Sequence, residues 1–239
     1  MRIQLMGCAV DNLDLAESLA LIEGFIRSGR PHRHGALSGN DVVRARRDPD
    51  LRRLIDGCDL INAEGRPLQW GSRLLGRPLK ARVPRRALFE ALMARAAQRG
   101  WKVFLLGTRE DEAAGVARRH PGLAVAGHRS GGWHPAEEDD VVAQICAARP
   151  EILCVALGAS AAGAFLARHQ AVMRVPFAMG VASGFDTPPR ASRRPPRWMR
   201  RTGLGGLHHL LLASRRQPGR HLVEDLAFVA LLAREWVRR

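Results

Sequence analysis

Short apolar runs alternate with helical patterns through most of this chain, and that alternation restricts its fold more than any other feature. The plainest unit joins an apolar run at residues 103–106, a turn at Gly107, a helical pattern over 110–119 and a second apolar run at 123–125. Residues 152–157 are continuously apolar, as expected for a central parallel strand that is buried on both faces. Strands alternating with helices form a mostly parallel sheet with helices on both faces. We therefore predict an α/β, Rossmann-like fold.

The remaining hydrophobic periodicity predicts further elements of the same kind. Strands are expected at 3–10 and 176–181, and helices at 13–26, 42–55, 68–75, 87–98, 141–148, 161–169 and 222–237. Small residues over 36–41 indicate a turn. Gly29 and Pro31 close the first helix, because glycine suits a helix end and proline cannot continue one.

A polar segment with one acid follows a short apolar run that ends at Leu60 and Ile61. Ligands of parallel α/β sheets bind just outside the carboxyl ends of the strands. Glu64 would face a cleft there, and Gly65 would let the backbone turn sharply beside it. The alternative is a surface turn with a solvated glutamate. Gly107 presents a similar choice, because a strand, a glycine turn and a helix N-terminus can either cradle a phosphate or simply connect two elements.

The residues that could suggest a bound metal have simpler explanations. Asp48-Pro49-Asp50 matches a DxD metal-binding pattern, but an aspartate before a proline is also typical of a helix N-cap and first turn, which we favour. The cysteines lack CxxC spacing and lie in apolar runs; they are Cys8, Cys58, Cys146 and Cys154. They indicate buried free thiols of a cytoplasmic protein. We expect no metal.

The chain has a formal net charge of +15, almost wholly from arginine, since Lys80 and Lys102 are its only lysines. Such an excess indicates an anionic partner: a phosphate, a nucleic acid or an acidic membrane face. Aromatic residues for stacking bases are few and tyrosine is absent, so nucleic acid is not expected. No run reaches the roughly eighteen apolar residues of a membrane span, and the N-terminus lacks a signal-peptide pattern. We expect a cytoplasmic protein.

Basic residues are concentrated near the C-terminus. No acid occurs between Thr187 and Val223, where the arginines are Arg190, Arg193, Arg194, Arg197, Arg200, Arg201, Arg215, Arg216 and Arg220. The helix expected at 222–237 is strongly apolar. We predict a Rossmann-like core over residues 1–190 and a basic, amphipathic helical appendage over 191–239 that lies on anionic lipid. The alternative packs these helices against the sheet with a solvated arginine face.

Short motifs also occur in a fixed order along the chain. They are Ser38-Gly39-Asn40, Asn62-Ala63-Glu64-Gly65, Leu74-Leu75-Gly76-Arg77-Pro78-Leu79 with Arg82-Val83, Phe104-Leu105-Leu106-Gly107, Val155-Ala156-Leu157-Gly158, Gly184-Phe185-Asp186, Arg194-Pro195-Pro196-Arg197-Trp198, Gly203-Leu204 and Arg215-Arg216. Each motif alone is weak. The collinear set, however, resembles the WecG/TagA/CpsF family, glycosyltransferase family 26, over the whole chain.

This resemblance implies an inverting transfer, without metal or other cofactor, of a sugar from a UDP-sugar to a polyprenyl-diphosphate-linked saccharide in bacterial polysaccharide synthesis. The donated sugar would be N-acetylmannosamine-like or another hexose or a uronate. Glu64 occupies the position of the family's general base, whose carboxylate takes the proton of the acceptor hydroxyl. Arginines would neutralise the departing diphosphate. The implied substrate-binding residues are Ser38, Asn40, Asn62, Gly65, Arg82, Gly107, Gly158, Phe185, Asp186, Arg194, Arg215, Arg216 and Arg220.

The implied place of action is the inner face of the cell membrane, and a second copy of the chain is a further candidate partner. Several functional positions depart from the family pattern. Glu64 replaces an aspartate, Arg85-Arg86-Ala87 stands where Gly-Ser-Asp is usual, and residues 159–163 lack the family's Gln and Glu. These changes fit a divergent transferase with another substrate. They also fit a catalytically silent homologue that binds a nucleotide sugar, a lipid-linked saccharide or a partner enzyme.

Overall fold

The computed structural model describes residues 2–181 and 220–237. Its strands are β1 (Arg2–Leu5), β2 (Cys8–Asp11), β3 (His32–Leu37), β4 (Leu60–Ala63), β5 (Lys102–Leu106), β6 (Ala124–Arg129), β7 (Ile152–Val155) and β8 (Phe177–Gly180). Its helices are α1 (Leu15–Ser28), α2 (Gly39–Ala45), α3 (Pro49–Asp56), α4 (Arg66–Leu74), α5 (Arg85–Arg99), α6 (Glu110–Arg119), α7 (Glu138–Ala148), α8 (Ala159–Met173) and α9 (Arg220–Val237). The predicted alternation of strands and helices is confirmed.

Strands β3 to β8 form one sheet in the order β4-β3-β8-β7-β5-β6. All neighbouring pairs are parallel, so the carboxyl ends of these strands meet at one edge. Every residue of β7 is buried, as its continuous apolar run predicted. The sheet therefore has the Rossmann-like character expected from the sequence.

Helices cover both faces of this sheet. On one face α1 and α5 pack around a core that contains Ile22, Leu92 and Ile152. On the other face α7 and α8 enclose a core with Leu153 and Phe165. Because side chains alternate along a strand, neighbouring residues of β7 serve opposite cores.

The segment 3–10 is a hairpin, so the prediction of one continuous strand was wrong. β1 pairs antiparallel with β2 around Met6 and Gly7, whose φ angles are 48° and 82°. Two central residues with positive φ define the tight turn that matches the twist of paired strands. The hairpin is a separate two-stranded sheet.

The predicted helix over 42–55 is interrupted, and α2 and α3 replace it. Asp48 starts the second helix: its Oδ1 accepts from the backbone N–H groups of Asp50 and Leu51, each at 3.0 Å. The N-cap interpretation of Asp48-Pro49 is thus confirmed.

The C-terminal helix α9 contacts the core. Phe228 is buried, and its ring lies 3.1 Å from the place of a Cβ at Gly39 and 3.4 Å from that of one at Gly71. A side chain at either position would require the ring of Phe228 or its neighbours on α9 to move by a few tenths of an ångström, so glycine allows this close approach of α9 to α2 and α4. No helix of the described ranges is long and apolar enough to cross a membrane. The boundary predicted at residue 190 lies outside those ranges and stays a prediction.

Candidate functional site

The carboxyl edge of the parallel sheet collects most of the predicted site residues that the structure describes. Ser38 follows β3, Glu64 and Gly65 follow β4, Gly107 follows β5, and Gly158 begins α8 beyond β7. A Cβ on Gly65 would lie 3.8 Å from Ser38 Cα. The residues form one group at β3 and β4 and another at β5 and β7, with β8 between them.

Glu64 is held at this edge by its backbone and by its carboxylate. Its N–H donates to the Leu37 carbonyl at 2.9 Å, and the N–H of Val83 donates to the Ala63 carbonyl at 2.8 Å. The second bond brings the start of α5 beside Glu64. The Arg85 backbone N–H donates to Glu64 Oε1 at 3.3 Å, and the Arg85 guanidinium donates to Oε2 at 3.2 Å. Glu64 is therefore paired at a helix N-terminus, where the dipole also favours an anion.

The Glu64 carboxylate remains accessible despite this pairing. Its side chain is 34% exposed, whereas that of Arg85 is only 16% exposed. The arginine is therefore the more buried partner of the pair, and about a third of the Glu64 side chain faces solvent.

Ser38 and Asn40 lie at the first turn of α2. Ser38 is its N-cap: its backbone N–H and its hydroxyl both donate to Asp41 Oδ2, at 2.9 and 2.6 Å. Asn40 is half-buried in the same turn. Ser38 therefore shapes the helix start, and its role toward substrate stays a prediction.

Asn62 is fully buried and belongs to a hydrogen-bonded chain between β3, β4 and α1. The Ser18 hydroxyl donates to the Asp14 carbonyl at 2.7 Å and accepts from Asn62 Nδ2 at 2.9 Å. Asn62 Oδ1 lies 3.0 Å from His34 Nε2. Asn62 thus joins the strands to α1, and its predicted contact with substrate remains a prediction.

The same chain fixes the protonation of His34. Because Asn62 Oδ1 can only accept, His34 Nε2 carries the proton and Nδ1 presents a lone pair. Burial, and then the positive charge of Arg85, lower the pKa of His34 to about 4. His34 is consequently a neutral hydrogen-bond acceptor at its Nδ1 atom.

A cavity of about 90 Å³ adjoins this group. Its lining includes the polar residues His34, Asp41 and Arg85. Leu54 of α3 and Leu166 of α8 are among its apolar residues. Arg85 is the residue that links the cavity to Glu64, because it lines the cavity and pairs with the acid.

The two predicted glycine turns differ in what they offer an anion. At the start of α6, Glu112 already accepts from the N–H of Arg109 at 3.3 Å and from the Thr108 hydroxyl at 3.0 Å. At the start of α8, Gly158 makes no side-chain cap, and the first turn holds no acid. Because no side chain of residues 2–181 caps α8, its first amides are the better-suited donors to a phosphate.

The other predicted site residues are less informative. Arg82 is exposed in the loop before α5. Arg220 is the first residue of α9, and its side chain is outside the described part of the structure. The remaining predicted residues, Phe185, Asp186, Arg194, Arg215 and Arg216, also lie outside it.

The sequence argument missed His34 and Arg85 as candidate site residues. His34 lies in a strand whose sequence, His-Arg-His-Gly-Ala-Leu, has no apolar run to reveal it. Arg85 could have been found, because it departs from the family pattern close to the expected base. The tertiary fold brings Arg85 to Glu64 and His34 to Asn62.

Comparison with known proteins gives one family and similar relatives. The family model described as "Glycosyl transferase WecG/TagA/CpsF family" matches residues 3–239. An N-acetylglucosaminyldiphosphoundecaprenol N-acetyl-beta-D-mannosaminyltransferase of Bacillus spizizenii is 27% identical over 171 residues, 70% of this chain and 66% of that protein. A protein of the same name from Bacillus subtilis (strain 168) is 26% identical over 170 residues, with the same shares covered.

The matched region spans 66% of the length of these two relatives. The family match is more extensive, since it covers nearly all of this chain, including β4, Glu64 and α9. The chain therefore belongs to the WecG/TagA/CpsF family of glycosyl transferases.

Proposed function

We propose that this protein transfers a sugar from a UDP-sugar to a polyprenyl-diphosphate-linked saccharide, with Glu64 as the general base. The observation that carries the proposal is the placement of Glu64. Its accessible carboxylate lies at the carboxyl end of β4 and pairs with Arg85, in a chain of a glycosyl transferase family. The names of the two relatives support an N-acetylmannosamine-like donor sugar and a lipid-diphosphate acceptor.

In this mechanism Glu64 accepts the proton of an acceptor hydroxyl while the hydroxyl oxygen attacks the anomeric carbon. The bond between that carbon and the phosphate oxygen breaks, and UDP departs with the bonding electrons. Attack from the side opposite to the leaving group inverts the configuration at the anomeric carbon. The protonated Glu64 then returns its proton to solvent.

Arg85 positions the base in this account. Glutamate is longer than aspartate by one methylene, about 1.5 Å, and a misplacement of about 1 Å can lower a rate on the order of a hundredfold. The bonds from Arg85 to both carboxylate oxygens draw the longer side chain back toward the start of α5. The pair would thereby compensate for the replacement of aspartate by glutamate.

The departing diphosphate requires positive charge or hydrogen-bond donors. The amides at the start of α8, beside Gly158, would supply donors. Arg194, Arg215, Arg216 and Arg220 are proposed to supply charge, and Phe185 and Asp186 to complete the nucleotide site. Arginine suits this task because its planar group binds phosphate oxygens in pairs.

Binding of UDP tests the donor half of the proposal. UDP at about a hundred times its Kd should raise the melting temperature by about 5 to 10 °C, since a ligand of the folded state stabilises it by mass action. Inorganic diphosphate is the matched control for charge, because a chain of net charge +15 attracts any polyanion. An equal shift with diphosphate, or none with UDP, contradicts a nucleotide site.

We also propose that the protein works on the inner face of the cell membrane. Leu226, Val229 and Trp236 of α9 are each more than half exposed, while Phe228 of the same helix is buried against α2 and α4. Trp70 and Leu74 of α4 are also exposed. Apolar side chains among arginines suit a surface of anionic lipid.

Vesicle binding tests this membrane role. The Val229→Ser/Trp236→Ser double variant should bind anionic vesicles about tenfold more weakly, because less apolar surface enters the lipid interface. Val172→Ser on α8 changes an equally exposed apolar residue elsewhere and should leave binding unchanged. Binding should weaken with salt without vanishing, because salt screens only the arginines. Equal binding to neutral and anionic vesicles contradicts the proposal.

A further inference from the structure

The segment from Gly65 to Phe89 is a second part of the chain in which basic residues occur without any acid. Its basic residues are Arg66, Arg73, Arg77, Lys80, Arg82, Arg85 and Arg86. All of them except Arg85 are exposed. Unlike the acid-free tract near the C-terminus, this segment lies wholly within the described part of the structure. Such a concentration of one charge on a surface favours an anionic partner.

Helix α4 of this segment has an apolar ridge on its solvent side. Leu68 faces the protein and is fully buried, whereas Trp70 is 51% exposed and Leu74 is 52% exposed. Residues four apart are neighbours on a helix surface, so Trp70 and Leu74 lie side by side. Arg66 and Arg73 flank them, four residues before Trp70 and three after it. Exposed tryptophan and leucine among arginines are typical of a helix that lies on anionic lipid.

The fold keeps this ridge close to the proposed base. α4 begins two residues after Glu64. The segment then returns to the same strand, where the Val83 N–H donates to the Ala63 carbonyl at 2.8 Å. Its bend is held internally, since Ser72 Oγ accepts from the Leu79 N–H at 3.0 Å. The segment thus leaves and rejoins the carboxyl end of β4, so a contact made by α4 also positions Glu64.

The ridge of α4 also lies beside the C-terminal helix. Leu232 of α9 lies 3.2 Å from the place of a Cβ at Gly71, which is the residue after Trp70. Two packed helices, α4 and α9, therefore both expose apolar side chains. Val172 of α8 is also exposed, but it lies at the opposite edge of the sheet, because α8 ends at Met173 and leads into the start of β8.

We propose that α4 is a lipid-contacting surface of the core, and that its partner is an anionic bilayer. Trp70 and Leu74 enter the interface, and Arg66 and Arg73 pair with lipid phosphates. This contact holds Glu64 beside the bilayer, where a saccharide carried on a lipid diphosphate is presented. The inference rests on the membrane role proposed above. It adds that the core, as well as the C-terminal helix, makes the contact.

Vesicle sedimentation of the full chain tests this contact. Trp70→Ser/Leu74→Ser should bind vesicles that contain phosphatidylglycerol about tenfold more weakly, because the apolar ridge of α4 no longer enters the interface. Val172→Ser, at the opposite edge of the sheet, is the matched control and should bind as the wild type does. Thermal melting of each variant shows whether it remains folded.

Quenching of tryptophan fluorescence by brominated lipids locates Trp70 directly. Trp70→Phe keeps an apolar ring on α4, so vesicle binding should stay within about twofold of the wild type. The part of the emission that the lipid quenches should fall, because one inserted fluorophore is lost. An unchanged quenched part would place Trp70 outside the bilayer and overturn the inference.

A transfer assay connects the contact to the proposed reaction. In Trp70→Ser/Leu74→Ser, the ratio of the rate with a vesicle-embedded acceptor to that with a short-chain, water-soluble acceptor should fall about tenfold, because fewer molecules lie at the surface. The vesicle measurements require no sugar transfer, so they test the inference even if no product forms.

Two further outcomes overturn the inference. One is wild-type vesicle binding by folded Trp70→Ser/Leu74→Ser; if Val229→Ser/Trp236→Ser binds weakly at the same time, the membrane role stands and only the contact through α4 falls. The other is a dimer in solution that dissociates in the α4 variant without loss of vesicle binding, which assigns the ridge to a second copy of the chain. If the wild-type protein binds no vesicles, the membrane role and the inference fall together.

Discussion

Glu64→Gln is expected to lower the rate of sugar transfer by about two to four orders of magnitude while leaving UDP affinity nearly unchanged. Glutamine has the size of glutamate but cannot take the proton of the attacking hydroxyl. It still accepts a hydrogen bond from Arg85 through its carbonyl oxygen, so the local structure should persist. Turnover with a lipid-linked acceptor and UDP binding, measured on the same preparation, separate the two effects.

Glu90→Gln provides the matched control for this change. Glu90 is a half-buried carboxylate of α5 that lies 3.0 Å from His120 Nε2, away from the sheet edge. Its replacement should leave transfer within about twofold of wild type, because it touches no proposed reacting group. Full activity in Glu64→Gln would remove Glu64 from the mechanism. Glu64→Asp restores the residue that the family pattern has at this position. A rise in activity would mean that glutamate places the base less well than aspartate does, and a fall would mean that the rest of the site has adapted to glutamate.

Gly107→Ala should destabilise the protein by about 3 kcal/mol, or about 6 to 12 °C in melting temperature. Gly107 has a φ of 85°, which an alanine adopts only with strain. The added Cβ would also lie 2.9 Å from the carbonyl carbon and oxygen of Ala156. The backbone of Ala156, which follows β7, cannot move aside as easily as the end of a flexible side chain. The turn after β5 must therefore shift. Urea unfolding followed by circular dichroism measures the loss.

Gly100→Ala separates the two causes of that loss. Gly100 ends α5 with a φ of 70°, but no atom lies within 4 Å of the place of its Cβ. This variant should cost only the strain of positive φ, about 1 kcal/mol. Equal losses in the two variants would show that the contact with Ala156 contributes nothing.

The parallel sheet was predictable because its central strands are buried on both faces. The run Ile152–Val155 of β7 and residues 103–106 of β5 carry that burial directly in their sequences. β3 was not predicted, although it pairs with both β4 and β8. Its sequence has no apolar run, because His34 bonds to Asn62 and Gly35 leaves room for Cys58 Sγ, which lies 2.9 Å from the place of a Cβ. The hairpin was missed for a different reason: Met6 adopts positive φ where Asn or Gly is usual.

The candidate site was predictable only where one local pattern defines it. Glu64 follows a buried strand, and parallel topology places such residues at the ligand edge. Arg85 reaches Glu64 from 21 positions away, through the Val83 bond to β4. The orientation of His34 depends on Asn62 and on Ser18 of α1. No pattern within one element encodes these contacts, because they exist only after the sheet and its helices pack.

Product formation by the wild-type chain tests the central claim most directly. The protein is incubated with UDP-N-acetylmannosamine and a polyprenyl-diphosphate-linked N-acetylglucosamine, and the lipid product is analysed by mass spectrometry and NMR. Our account predicts release of UDP and a lipid-linked disaccharide, heavier by one N-acetylhexosamine unit, with inverted configuration at the transferred anomeric carbon. Binding of UDP without any product from this donor or from other UDP-hexoses would contradict catalysis and assign the chain to the silent homologues of its family.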